Sequence, residues 1–142
     1  IEYYANNLIQ QVYPNFAISI HRDKTKKLEP IVFEFICDGR SREYARLSGG
    51  QKTVADICLR LGFSKTLMDI SNAKINFICL DEPFESLDEF NRDLIKQILL
   101  MESKTFSQII IISHTPDARD FEHTIEVHMS ADGISYVKGG AA

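Results

Sequence analysis

"INFICLDEP" occupies positions 75–83, and its reading decides the fold. The stretch is an apolar run that stops abruptly at Asp81-Glu82, the pattern of a strand buried on both faces in a parallel sheet. A second run of this kind, "QIIIIS" at 108–113, ends at Ser113-His114. Between the two, Phe90, Leu94, Ile95, Ile98 and Leu99 recur at helical spacing. Ahead of the first, Val54, Ile57, Cys58, Leu61 and Leu67 mark another amphipathic helix from Gly49 to about Met68. Helix, buried strand, helix, buried strand predicts an α/β lobe, with parallel strands flanked by helices. Ligands of such sheets sit beyond the carboxyl ends of the strands. Both runs here end in polar residues capable of chemistry.

Outward from this centre the pattern changes. Ile1, Tyr4, Leu8, Ile9 and Val12 fall close to helical spacing, and Pro14-Asn15 stops that helix. "FAISI" at 16–20 and "PIVFEFICD" at 30–38 read as two strands, with the polar stretch 21–29 as their hairpin connection. "GRSREYAR" at 39–46 reads as a loop or short strand. Beyond His114, "TIEVHM" and "ISYVK" alternate like a terminal hairpin around Ala131-Asp132-Gly133. Antiparallel hairpins are therefore expected at the two ends. Residues 1–138 form one lobe, and "GGAA" at 139–142 reads as a linker or an engineered remnant.

The 142 residues suit one domain with a real core. An apolar fraction of 44% and a charged fraction of 25% are ordinary for a soluble globular protein. No apolar run approaches the roughly 20 residues of a membrane span, and no signal peptide opens the chain. It begins at Ile1 without a methionine, as a fragment or internal piece does. Cys37, Cys58 and Cys79 are odd in number and form no CxxC pair, so buried free thiols in a reducing, intracellular compartment are expected. A net charge of −4 argues against a generic DNA-coating protein. The basic run "HRDKTKK" at 21–27 suits a solvated hairpin tip, and a local basic surface stays open.

Four places can carry chemistry. Asp81 and Glu82 are adjacent carboxylates at a strand end, costly unless a cation or partner compensates them. A strand-end aspartate can help hold Mg²⁺, and a neighbouring glutamate can act as general base; a solvent-exposed acidic turn capped by Pro83 is the plain alternative. His114 ends the adjacent strand, where it is either structural or close enough to the carboxylates to work with them. His21, His123 and His128 have no such setting. "ESLD" at 85–88 with Glu89 contains a capping box from Ser86 to Glu89, and Asp88 favours the positive end of the following helix.

The fourth place is "RLSGGQK" at 46–52. Ser48 and Gln51 match a capping box, yet two glycines occupy the first helical turn, each costing roughly 1 kcal/mol against alanine. A helix N-terminus presents unpaired N–H groups and a positive dipole end to an anion. Gly49 and Gly50 would clear side chains from that approach, and Ser48 would add a hydroxyl donor. The pattern GxxxxGK[ST] of a phosphate-loop is absent from these 142 residues.

In order, "LSGGQ", "FICLDEP", "SLD" and "SH" resemble the second half of an ATP-binding-cassette ATPase. Leu47 to Gln51 is similar to the family's signature motif and Phe77 to Glu82 to its Walker B strand with the adjacent glutamate. Ser86-Leu87-Asp88 is similar to the D-loop and His114 to the switch histidine. A helix and two strands before the signature resemble the C-terminal lobe of SMC-like heads, and "LDEPFESLD" resembles the SbcC/Rad-fifty type of DNA-repair ATPase. Pro83 is shared with transporter ATPases. No coiled coil and no zinc-hook cysteine pair occur in the chain.

The resemblance implies ATP and Mg²⁺ as cofactors, bound at a head–head dimer interface. Asp81 would help bind the metal, Glu82 would act as base and His114 would hold the γ-phosphate region. Ser48, Gly49, Gly50 and Gln51, with Asp88 beside them, would face ATP held by a second copy. An N-terminal lobe of the same protein would supply the phosphate-loop, and the isolated chain would be inactive. Implied partners are a nuclease subunit and DNA, in a cytoplasmic, nucleoid or nuclear setting without membrane. The alternatives are the ATPase subunit of a membrane transporter and a non-catalytic dimerisation lobe.

Overall fold

The structure, a computed structural model, describes residues 1–72, 74–85 and 87–138. Helix α1 (Glu2–Val12) is followed by strands β1 (Phe16–Arg22), β2 (Ile31–Cys37) and β3 (Arg40–Arg42). A 3-10 turn at Tyr44–Arg46 leads into the long helix α2 (Gly49–Ser71). Then come β4 (Phe77–Asp81), α3 (Glu89–Glu102) and β5 (Gln108–Ile112), a 3-10 turn at Pro116–Asp120, and β6 (Glu126–Met129) with β7 (Ser135–Lys138). The element order is the expected one. Strands β4 and β5 pair in parallel, Phe77 opposite Gln108 and Asp81 opposite Ile112. The N-terminal hairpin gains a third strand, giving the antiparallel order β1-β2-β3, and β6 pairs with β7 as the terminal hairpin. The tetrapeptide at 139–142 lies outside the described residues.

One core joins these pieces. Ala5, Leu8 and Ile9 of α1, Phe16 and Ile18 of β1, Phe35 of β2 and Ile95, Ile98 and Leu99 of α3 converge on Val54, Ile57, Cys58 and Leu61 of α2. Helix α1 and α2 touch closely at Gly62, where a Cβ would meet the backbone of Ala5 and Ile1 at 2.9 Å. The free edge of β1 is covered by side chains of α1. Asn6 both donates to the Ile18 carbonyl and accepts from its N–H, each at 2.8 Å, and Glu2 accepts from the Ile20 N–H at 2.6 Å. Satisfying an edge this way removes a template for unwanted strand pairing.

The parallel pair departs from the expectation of burial on both faces. Leu80 is buried, and Ile78, Ile109 and Ile111 pack against the core. On the opposite face Phe77 is 57% exposed and Ile112 52%, with Cys79 and Ile110 between them also exposed. Val127, Met129, Tyr136 and Val137 of the terminal hairpin are exposed as well. Parallel strands in folded proteins are commonly covered on both faces; among the described residues this face of the pair is apolar and open. Leu67 and Phe90, expected on the buried stripes of α2 and α3, are likewise exposed.

Candidate functional site

The carboxyl ends of β4 and β5 bring Glu82 and His114 together. The Glu82 N–H donates to the Ile112 carbonyl at 2.8 Å, extending the parallel ladder by one step. That step puts Glu82 at φ +47, a left-handed backbone that costs a non-glycine residue about 1–3 kcal/mol. Its carboxylate accepts from the Ser113 hydroxyl at 3.1 Å, the His114 N–H at 3.2 Å and the His114 Nδ1 at 2.8 Å. Asp81 ends β4 beside it, exposed to solvent. Ser113 was not singled out in the sequence; its place one residue before His114, opposite the carboxylates, was the available signal.

These bonds set the charge state of the pair. The His114 side chain holds the Glu82 carboxyl below its usual range, burial opposes it, and the Ser113 hydroxyl adds to the lowering. Glu82 in turn raises the His114 imidazole above its usual value, first by the hydrogen bond and then by its charge. The sign follows directly. The raised His114 contributes below its ordinary pKa and is lost as pH rises through the raised one. The depressed Glu82 contributes above its ordinary pKa and is lost as pH falls through the lowered one. The contact is therefore intact between the lowered Glu82 and raised His114 values, a window spanning mildly acidic pH. An NMR titration of His114 should show a raised midpoint that drops back toward the ordinary value in Glu82→Gln. An unchanged midpoint would remove the contact from solution.

A second group of residues gathers at the N-terminus of α2. The capping box is complete: the Gln51 N–H donates to Ser48 Oγ at 3.2 Å, and the Ser48 N–H donates to Gln51 Oε1 at 3.1 Å. Tyr44 holds the preceding turn against α2 through its hydroxyl on Asp56 at 2.8 Å, with Lys52 over its ring. Around Gly49 nothing lies within 4 Å of where a Cβ would stand, so an anion can reach this tip. Gly50 differs. A Cβ there would stand 2.3 Å from Asn91 Nδ2 and 2.4 Å from its Cγ, so its space is taken from inside the protein. Gln51 Oε1 is engaged in the cap.

Asp88 caps α3. Its Oδ1 accepts from the Asn91 N–H and from Asn91 Nδ2, each at 2.8 Å, a cap worth about 1 kcal/mol. The capping box expected from Ser86 to Glu89 is not the one that forms: α3 begins at Glu89 with Asp88 as its N-cap, and Ser86 lies outside the described residues. Arg92, one position beyond Asn91, donates to the Leu87 carbonyl at 2.9 Å and pairs with Asp117 at 3.1 Å. Lys96 pairs with the same Asp117 at 2.8 Å and with Asp120 at 2.6 Å, and these carboxylates push its pKa up to about 12. Phe84 stacks on Phe121. Helix α3 thus grips the segment before it and the one after His114. None of Asn91, Arg92, Lys96 or Asp117 was singled out in the sequence; the i, i+4 spacing of Arg92 and Lys96 was the trace they left.

The arrangement offers a hydrogen-bonded carboxylate–imidazole pair at one place and an open helix N-terminus at another. Among the described residues no group of three or more His, Cys, Asp or Glu side chains could hold a metal ion; Asp81 is the exposed carboxylate at the end of β4. No described helix is long and apolar enough to cross a membrane.

Comparison with known proteins agrees with this geometry. Residues 15–100 match the family model described as SbcC/RAD50-like, Walker B motif. The chain is 27% identical over 140 residues to the DNA double-strand break repair Rad50 ATPase of Archaeoglobus fulgidus, covering 97% of this chain and 16% of that protein. It is 32% identical over 90 residues to the Aeropyrum pernix Rad50 ATPase, covering 62% of this chain and 9% of that one. The chain thus spans a sixth or less of these relatives' length. Among solved structures it superimposes on a chain from work on ATP-driven dimerisation and DNA-stimulated activation of SMC ATPases. The TM-score is 0.76 at 18% identity, covering 99% of this chain and 83% of that chain. The SMC head domain from Thermotoga maritima gives 0.67 at 23% identity, covering 97% and 46%. With the SMC-head fold, the strand-end glutamate and the family match in agreement, the chain belongs to the SbcC/RAD50-like family and carries its Walker B lobe.

Proposed function

We propose that residues 1–138 are the C-terminal lobe of an SMC-like ATPase head. In this reading the lobe binds and hydrolyses ATP with Mg²⁺ at a head–head dimer interface and serves DNA double-strand-break repair or recombination with a nuclease partner. The observation that carries it is Glu82, held on left-handed backbone at the carboxyl end of a parallel pair with Ser113 and His114 on its carboxylate. Bound Mg²⁺–ATP would supply the phosphoryl group and its neutralising charge. Asp81 would contribute to holding the metal, and Glu82 would take a proton from the attacking water.

Glu82 as found is a weakened base, because three donors stabilise its charged form. His114 is the movable donor, its side chain 72% exposed against 28% for Glu82. When His114 turns toward an anion, Glu82 loses its strongest donor and regains basicity, so anion binding and base activation become one motion. Ser48 and Gly49 offer a hydroxyl and bare N–H groups to an anion that this lobe does not itself enclose, the arrangement a second copy would complete. The uncovered face of β4–β5 supports an N-terminal lobe of the same protein as its cover and as the source of the phosphate-loop.

The test is reconstitution. The isolated lobe should neither turn over ATP nor bind it tightly, and mixing with the phosphate-loop lobe should produce turnover. The same mixing should shield exposed Cys79 from thiol labelling. Cys58, whose thiol burial pushes up to about 12, and buried Cys37, also raised by burial, should stay unreactive throughout. Turnover by the isolated lobe, or Cys79 labelling at an unchanged rate after mixing, would overturn the reading.

A further inference from the structure

Asn91 is a buried polar residue with no role assigned so far. It is 8% exposed, sits in the first turn of α3, and its Nδ2 donates to Asp88 Oδ1 at 2.8 Å. Its Oδ1 is fully enclosed and has no hydrogen-bond partner among the described residues. Leaving a buried acceptor unmatched is costly, and residues that carry such a cost commonly answer to function. All three of its terminal atoms stand within 2.7 Å of the position a Gly50 Cβ would take. One amide therefore touches both the first turn of α2 and the cap of α3.

We infer that Asn91 is a positioning residue that locks the Ser48–Gly50 tip to the Asp88 cap, and that Gly50 is required by Asn91 rather than by a phosphate. The two glycines then have different reasons. Gly49 is open and leaves an anion's approach clear; Gly50 leaves room for the amide. An alanine at 50 would displace the Asn91 amide, whose three terminal atoms lie within 2.7 Å of the new Cβ, at the expense of its bond to Asp88. The tip and the cap would then move independently, although both must meet the same partner copy. This inference rests on the proposed ATP-driven dimer for its functional consequence and on packing alone for its physical basis.

A double-mutant cycle in the full-length protein tests it, with Gly49→Ala as control. Two quantities are read: the melting temperature, and the ATP concentration for half-maximal dimerisation. Gly50→Ala should lower the melting temperature and raise the ATP requirement about tenfold. Asn91→Ala removes the three clashing atoms and should raise the ATP requirement by itself, since Asp88 loses its side-chain partner. In the Asn91→Ala background, Gly50→Ala should then cost nothing further in either readout. Gly49→Ala should not lower the melting temperature, because it meets no neighbour and relieves the cost of glycine in a helix.

Three results would overturn the inference. One is a Gly50→Ala penalty that persists in full when Asn91 is alanine, which would mean the glycine faces a phosphate. Another is no penalty from Gly50→Ala in the parent protein. The third is unchanged ATP-driven dimerisation in Asn91→Ala, which would reduce Asn91 to a packing residue. If the parent protein fails to dimerise with ATP, the functional reading falls, and the melting-temperature cycle still decides the Gly50–Asn91 coupling.

Discussion

Glu82→Gln in the completed head is expected to cut ATP turnover by about 10²–10⁴, the usual contribution of a general base, and to leave an ATP-bound dimer that does not come apart. The substitution keeps the shape. Its single Oε1 can still accept from the His114 N–H, which in Glu82 lies at 3.2 Å, while the amide nitrogen takes the place of the oxygen 3.1 Å from Ser113 Oγ and donates to that hydroxyl instead. Glutamine cannot take a proton from water. It also removes the negative charge that holds the His114 imidazole, so the histidine is freer to serve a bound anion. Binding should therefore be preserved or tightened while chemistry stops. Turnover measured beside size-exclusion light scattering with ATP checks both halves. A Glu82→Gln protein that stays monomeric with ATP, in a head whose parent dimerises, would exclude the sandwich mechanism.

Ser48→Arg should abolish ATP-driven dimerisation, weakening it by more than about 100-fold, or roughly 3 kcal/mol. Two effects have to be kept apart. Losing the Ser48 cap removes its bond from the Gln51 N–H and costs the helix about 1 kcal/mol, which thermal unfolding would register. The larger effect is a long side chain where Gly49 and Ser48 leave the helix tip open. Ser48→Asp separates the two, because aspartate is a good N-cap yet places a carboxylate where an anion is to approach. Both variants should fold, and both should fail to dimerise with ATP. Dimerisation of either at the parent's ATP concentration would leave the motif as a helix cap and nothing more.

Much of this was legible in the chain before any coordinates. The complete capping box at Ser48–Gln51 was readable because its partners lie three residues apart, within one helical turn. The parallel pair was readable because an apolar run ending in charge has few other uses in an α/β order. The burial of that pair on only one side was not readable. Phe77, Cys79, Ile110 and Ile112 are as apolar as their inward neighbours, and composition cannot tell a covered face from one awaiting its cover. Leu67 and Phe90 were misjudged for the same reason, since helical spacing assigns a stripe without saying where the neighbouring element ends.

The sequence by itself determined the order of elements, the Ser48–Gln51 cap and the polar residues at the strand ends, because each depends on neighbours within a few positions; the α3 cap fell instead to Asp88 with Asn91. Only the tertiary structure decided that His114 meets Glu82, 32 residues apart, and that Ser113 shares the task. It also divided the two glycines, leaving Gly49 facing solvent and seating Gly50 against Asn91. Such contacts depend on how α2 and α3 dock across a common core. That docking comes from the summed burial of residues such as Val54, Ile57, Ile95 and Ile98, and no local pattern records it.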